Sequence, residues 1–138
     1  MGPIALPVET EGPAVLRPVR RGAVTDVAGQ LLTRPGLVPY LDVAATLAED
    51  RQTLHVSVIN RHRTEAIATQ LVVDGRIVGV PPHAQAHTLA ADVSDVLATN
   101  TLRAPDHVAL RDLGTVEVAE GRYAFPPHSI TLLSFALR

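Results

Sequence analysis

The sequence has no cysteine, no tryptophan and no lysine. Without cysteine there are no disulfides, no thiolate metal sites and no thiol catalysis. A cysteine-free chain is compatible with a cytoplasmic location, which is the one expected. Aromatic residues make up only 3% of the chain. Sugar-binding surfaces use exposed aromatic rings, apolar on the face and polar at the tip; Tyr40 and Tyr123 are the two candidates for such platforms. All 12 basic residues are arginine, against 14 acids, for a formal net charge of -2. We read the exclusive use of arginine as a coding bias toward GC-rich DNA. No polybasic footprint is present, so neither nucleic acid nor an anionic membrane is an expected partner. The arginines at 20–21 and 61–63 read as solvated charge, the usual place for charge. No apolar run is long enough to span a bilayer. The N-terminal MGPIALPVETEG carries neither the basic nor the apolar region of a secretory signal.

What is present is aliphatic and frequently interrupted. The 138 residues suit one domain, with 46% hydrophobic residues to build a core and 11 prolines and nine glycines to break it into short elements. Residues 1–20 read as an irregular N-terminal segment, although Ala14–Val19 is strand-like, and residues 21–138 as the folded domain. Ala23–Val27 is a second strand-like piece. Residues 30–39, with two prolines and a glycine, predict a loop. From Tyr40 the pattern settles to a period of two, the mark of half-buried strands. Leu41, Val43, Ala45 and Leu47 form one strand. After a turn at 48–52, Leu54, Val56 and Val58 form the next. A polar turn at 60–64 precedes a strand over 65–73. Asp74-Gly75 is a hairpin signal because both residues tolerate positive φ, and 76–80 is the return strand. Strands are also predicted over 84–89, 115–118, 122–125 and 129–137, with one helical turn at 92–97 and an ordered loop at 100–108. In the last strand Ile130, Leu132 and Ser134 face one way and Thr131, Leu133 and Phe135 the other. Many short strands separated by turn signals, with no helix suited to a βαβ unit, predict an all-β antiparallel β-sandwich, jelly-roll-like.

The residues show no catalytic constellation. His83 and His87 stand four apart, which suits a metal only on a helix face. Here Pro81-Pro82 adjoins them, and no third ligand follows at a recognisable spacing. His55 falls on the polar face of its strand and is expected to be solvated. His128 is expected to hydrogen-bond locally. Retaining glycosidases need two carboxyl groups about 5–5.5 Å apart. Glu49-Asp50 and Asp92/Asp95 are pairs by sequence, but both sit in turns with no aromatic cleft around them. Ser57, Ser94, Ser129 and Ser134 lack a nucleophile elbow, and the glycines form neither a phosphate loop nor a dinucleotide fingerprint. No catalytic, cofactor-binding or metal residue is therefore assigned, and no cofactor is expected.

Three stretches carry a family resemblance. The first is VPYLDVAATLAEDRQTLHVSVINRHRTEAIATQLVVDG, Val38–Gly75, with Leu54, Val56, Val58, Asn60 and Arg61 at its marker positions. The second is Asn100, Thr101, Pro105, Asp106 and Val108. The third is Phe125, Pro126, Pro127, His128, Ser129, Ile130 and Leu133. In this order they resemble the C-terminal domain of glycoside hydrolase family 51 α-L-arabinofuranosidases, and Arg21–Val27 resembles the strand that precedes it. The resemblance implies a sandwich packed beside a (β/α)8 barrel in a bacterial, cytoplasmic enzyme of arabinose-polysaccharide metabolism. It implies a parent activity of retaining hydrolysis of terminal α-L-arabinofuranosyl groups. In the family the catalytic glutamates lie on the barrel, and the acid/base follows an asparagine. None of Glu9, Glu11, Glu49, Glu65, Glu117 and Glu120 follows one, so no catalytic residue carries over. The expected role is that of a noncatalytic accessory domain, inactive alone, whose partner is the barrel and which self-associates as a homo-oligomer. A carbohydrate-binding module is the alternative, disfavoured by the few aromatics, and an independent arabinofuranosidase a third reading. An exposed apolar patch is expected where the barrel or a missing strand would pack.

Overall fold

The computed structural model describes residues 2–17, 36–73, 80–91, 95 and 97–137. Among these residues ten strands follow in chain order: β1 Ile4–Leu6, β2 Ala14–Arg17, β3 Gly36–Pro39, β4 Leu41–Leu47, β5 Thr53–Asn60, β6 Ile67–Gln70, β7 His83–Ala90, β8 Ala109–Glu117, β9 Arg122–Phe125 and β10 Ser129–Ala136. Among the described residues there is no α-helix, only a 3-10 turn at Ala119–Gly121. The main sheet is antiparallel with strand order β1-β4-β5-β10-β7-β8. Two antiparallel pairs, β2-β3 and β6-β9, complete the strands. The chain leaves the main sheet after β5 and again after β8, and returns each time through β7 and β10. The result is the expected all-β, sandwich-like fold.

Period-two sequence explains the layering. Leu54, Val56 and Val58 of β5, Ala84 and Ala86 of β7, and Leu133 and Phe135 of β10 point to one side and are buried. The β6-β9 pair covers them with Phe125, Ile67 and Tyr123, helped by Leu71, Val73 and Val80. Side chains of this size each contribute roughly 1.5–3 kcal/mol when fully buried. The β6-β9 pairing continues one residue beyond the strands. Leu71 N–H donates to Gly121 O at 2.7 Å. Gly121 has φ +75, and a Cβ there would meet Leu71 O at 2.6 Å. Only glycine satisfies both demands.

Several expectations need correcting. The segment expected to be irregular at 1–20 contains the unexpected β1, besides β2, which falls on the strand-like Ala14–Val19. Ile4 and Leu6 are half-buried, and β1 pairs with β4 at the sheet's edge, Ile4 opposite Leu47 and Leu6 opposite Ala45. Pro3 and Pro7 bound this strand, and proline is tolerated at a sheet edge while it keeps the preceding residue extended. The loop expected at 30–39 ends in β3. The strand expected at 65–73 is shorter, Ile67–Gln70, and that expected at 115–118 is longer, Ala109–Glu117. The return strand at 76–80 and its Asp74-Gly75 turn, the strand at 23–27 and the helical turn at 92–97 fall wholly or mostly outside the described residues.

At the opposite edge, β8 pairs with β7 through a bulge between Ala86 and His87. Gly114, at φ +66, sits in that irregularity. Bulges and charged side chains discourage a free edge from pairing with another chain; β8 carries both, with Arg111, Asp112 and Glu117 exposed.

Candidate functional site

The residues singled out for chemistry do not converge. His83 and His87 share one face of β7. Four residues along a strand separate them by about 13 Å, too far for one metal ion. His87 Nε2 lies 3.8 Å from Asp112 Oδ1 on β8. Its Nδ1 is enclosed with no hydrogen-bond partner. His55 is half-buried rather than simply solvated, because its Nδ1 pairs with Ser134 Oγ at 2.9 Å across β5 and β10. His128 does not bond locally: its backbone N–H donates to His62 O at 2.8 Å, far away in sequence just after β5, and its φ is a positive 48. No group of three or more metal-ligating side chains exists among the described residues, and no helix there is long and apolar enough to cross a membrane.

The carboxylates are equally dispersed. Glu49 and Asp50 are exposed in the β4–β5 turn, where Asp50 Oδ1 accepts from Gln52 N–H at 2.8 Å. Asp92 and Ser94 lie outside the described residues. Asp95 accepts from Leu97 N–H at 3.0 Å and lies 3.7 Å from His107 Nε2. Every described Asp and Glu is exposed. Ser129 is buried and donates to Pro126 O at 2.7 Å, while Ser57 is half-buried on its strand. Neither tyrosine is an open platform. Tyr40 packs on His62 with ring centroids 4.7 Å apart. Tyr123 meets Phe125 edge-on at 5.0 Å, and burial raises its pKa above 10.0.

The stretches that carry the resemblance turn out to be joints. Asn60 is fully buried at the end of β5, not a turn residue. Its Nδ2 donates to Glu65 O and to Phe125 O, each at 3.1 Å, and its Oδ1 accepts from His62 N–H at 2.9 Å. One side chain thus fastens β5 to the approach to β6 and to the end of β9. Arg61 donates to Pro39 O at 2.9 Å and pairs with Asp42, closing the other side. Asn100 clamps its loop at both ends of one residue: Nδ2 donates to Val108 O at 2.9 Å and Oδ1 accepts from Val108 N–H at 2.7 Å. Thr101 and Ala104 exchange two backbone bonds of 3.1 Å inside it.

One concave feature among the described residues is largely apolar. A cleft of about 520 Å³ lies over the outer face of the main sheet, bounded by Ile59, Leu89 and Ile130 below and by Ala98 and Val108 of the clamped loop at its side. Sequence patterning understated this face, because the alternation in β5, β7 and β10 leaves apolar residues at outward positions too. A chain with apolar residues on both faces of one sheet carries that signal in its sequence.

Fold and surface together define an antiparallel β-sandwich domain without an assembled catalytic centre among its described residues. No protein-family model matches the chain. It is 35% identical over 95 residues to a probable α-L-arabinofuranosidase C of Aspergillus flavus, covering 69% of this chain and 16% of that protein. It is 37% identical over 95 residues to α-L-arabinofuranosidase C of Emericella nidulans, again 69% and 16%. Among solved structures, the α-L-arabinofuranosidase of Thermotoga maritima superposes with a TM-score of 0.56 at 27% identity, over 76% of this chain and 21% of that one. The family 51 arabinofuranosidase of Xanthomonas axonopodis pv. citri shares the fold at a TM-score of 0.66 and 21% identity, over 95% and 22%. The chain is homologous to a small portion of glycoside hydrolase family 51 α-L-arabinofuranosidases. It spans about a sixth of the length of the curated relatives it matches, and those homologues contain further domains.

Proposed function

We propose that this chain is a noncatalytic accessory domain of the C-terminal type found in family 51 α-L-arabinofuranosidases. It acts by packing against a larger catalytic domain, a (β/α)8 barrel, and holding it in its working form. The parent activity, retaining release of terminal α-L-arabinofuranosyl groups, belongs in this reading to that partner.

The observation that carries the proposal is the exposure of every described carboxylate. A glycosidase raises the pKa of its acid by partial burial and sets a second carboxyl close beside it. Exposed carboxylates that cap turns or meet histidines supply neither condition. What the chain builds instead is a set of polar joints, buried at Asn60 and exposed at Arg61 and Asn100.

The test is hydrolysis of p-nitrophenyl α-L-arabinofuranoside by the purified chain at high protein concentration. No release of nitrophenol above the buffer rate is the expected outcome. Activity that co-purifies with the chain through successive columns would overturn the proposal.

A further inference from the structure

The outer face of the main sheet is apolar at one end and polar at the other. In register across β4, β5, β10, β7 and β8, one row reads Asp42, Ile59, Ile130, Leu89, Leu110. Two residues along, Leu132 sits between Ser57 and His87. Two further along, His55, Ser134 and Gln85 make the row polar. Ile59 is 36% exposed, Ile130 39% and Leu110 68%. Outward positions of a sandwich facing water are ordinarily polar. The side chains of this apolar end expose on the order of 400 Å², within the range of the largest apolar patch on an ordinary monomer, which is often functional. Beside them stands the clamped loop, in which Leu102 is wholly exposed, preceded by Leu97, which is largely exposed.

We propose that this apolar end, with the clamped loop as its wall, is the surface on which the catalytic part of a family 51 enzyme docks. The occupant is a protein surface, apolar at its centre, inserted against Ile59, Ile130, Leu89 and Leu110. The Asp42–Arg61 pair forms part of the polar rim. The occupant follows from length: most of each homologue lies outside the matched segment and needs a face to meet. A specific interface buries roughly 800 Å² per partner, so the contact must extend from the patch over the cleft and the loop. The two free edges are poorer candidates, since β1 is short and β8 is bulged and charged. The inference rests on the accessory-domain reading.

The test exchanges the matched segment of the Thermotoga maritima arabinofuranosidase for this chain and compares the chimera with the host lacking the segment. A triple variant, Ile59→Thr, Leu89→Thr and Ile130→Thr, keeps strand-compatible residues but removes the apolar row. The chimera is expected to unfold at a higher temperature than the truncated host and to lose about 10 °C in the triple variant, while the isolated chain shifts by no more than about 3 °C. Gln85→Thr, at the polar end, is expected to leave the chimera unchanged. A stable chimera indifferent to the triple variant overturns this face and leaves the accessory reading standing. A chimera no more stable than the truncated host overturns that reading and this inference with it. An isolated chain that is dimeric by light scattering, and monomeric as the triple variant, makes a second copy the occupant and overturns the proposal. Equal losses in the chimera and the isolated chain also overturn it, by assigning the row to folding.

Discussion

Replacing Asn60 tests whether the sandwich is held at one polar joint. The side chain is fully buried and makes three hydrogen bonds. Its amide orientation is fixed by them, since two carbonyls face Nδ2 and an N–H faces Oδ1. Removing it strands Phe125 O in the interior, at about 1–3 kcal/mol for an unsatisfied buried acceptor. Glu65 O and His62 N–H are only partly buried, so water recovers some of their loss, leaving about 0.5–1 kcal/mol each. The polar terms come to roughly 3 kcal/mol. Asn60→Ala adds the cost of a small cavity, about 1 kcal/mol more. Asn60→Leu refills the volume and isolates the polar part. For a domain of this size the loss of about 3 kcal/mol lowers the unfolding temperature by roughly 10 °C. The assay is thermal and urea unfolding followed by far-ultraviolet circular dichroism. Asn60→Leu within about 1 kcal/mol of the unsubstituted chain would refute the reasoning, because it would make the joint a matter of volume and not of hydrogen bonding.

Other outcomes follow from single features. Gly121→Ala forces a Cβ against Leu71 O at positive φ and is expected to cost about 3 kcal/mol, read as a lowered urea midpoint. Asn100→Ala removes both clamp bonds to Val108; exchange of the Val108 amide and proteolysis within 100–108 are expected to rise at least tenfold while global stability moves by less than about 1 kcal/mol. Burial raises the Tyr123 pKa, so the folded chain holds this proton more tightly than the unfolded one. The associated stability is present below pH 10.0 and is lost as pH rises beyond it. Tyr123→Phe is expected to flatten that alkaline decline, measured as unfolding free energy between pH 9 and about 11.

Strands with clean alternation were legible from sequence. β4, β5, β7, β9 and β10 fall where Leu41–Leu47, Leu54–Val58, Ala84–Leu89, Arg122–Phe125 and Ser129–Leu137 alternate, because one face must be buried and register follows. β1 and β3 were not legible, since proline-rich flanks read as loop and their pairing depends on β4 and β2, partners remote or unpatterned in sequence. Asn60 was misplaced for a related reason. A local rule assigns asparagine to turns, whereas here three partners from distant segments decide its place, and single-residue propensity carries no information about them. His87 and His83 looked like ligands only while the segment could be helical; a period of two separates them beyond reach of one ion.

The three stretches that mark the family resemblance all resolve into architecture. Asn60 and Arg61 join β5 to the chain before β4 and after β9. Asn100 closes a loop on Val108. Ser129, bonded to Pro126, turns β9 into β10. Asn60, Arg61 and Ser129, which line the cleft, are each bonded to a backbone carbonyl, while His128 brings an imidazole to its wall. A motif made of joints is retained when the shape of a domain matters, and shape matters where a second surface must fit it. The clamped loop and the apolar row meet at the same end of the sheet, bounding one cleft. Architecture and exposed apolar area therefore converge on a contact face, and chemistry, in this reading, lies across that face in the partner.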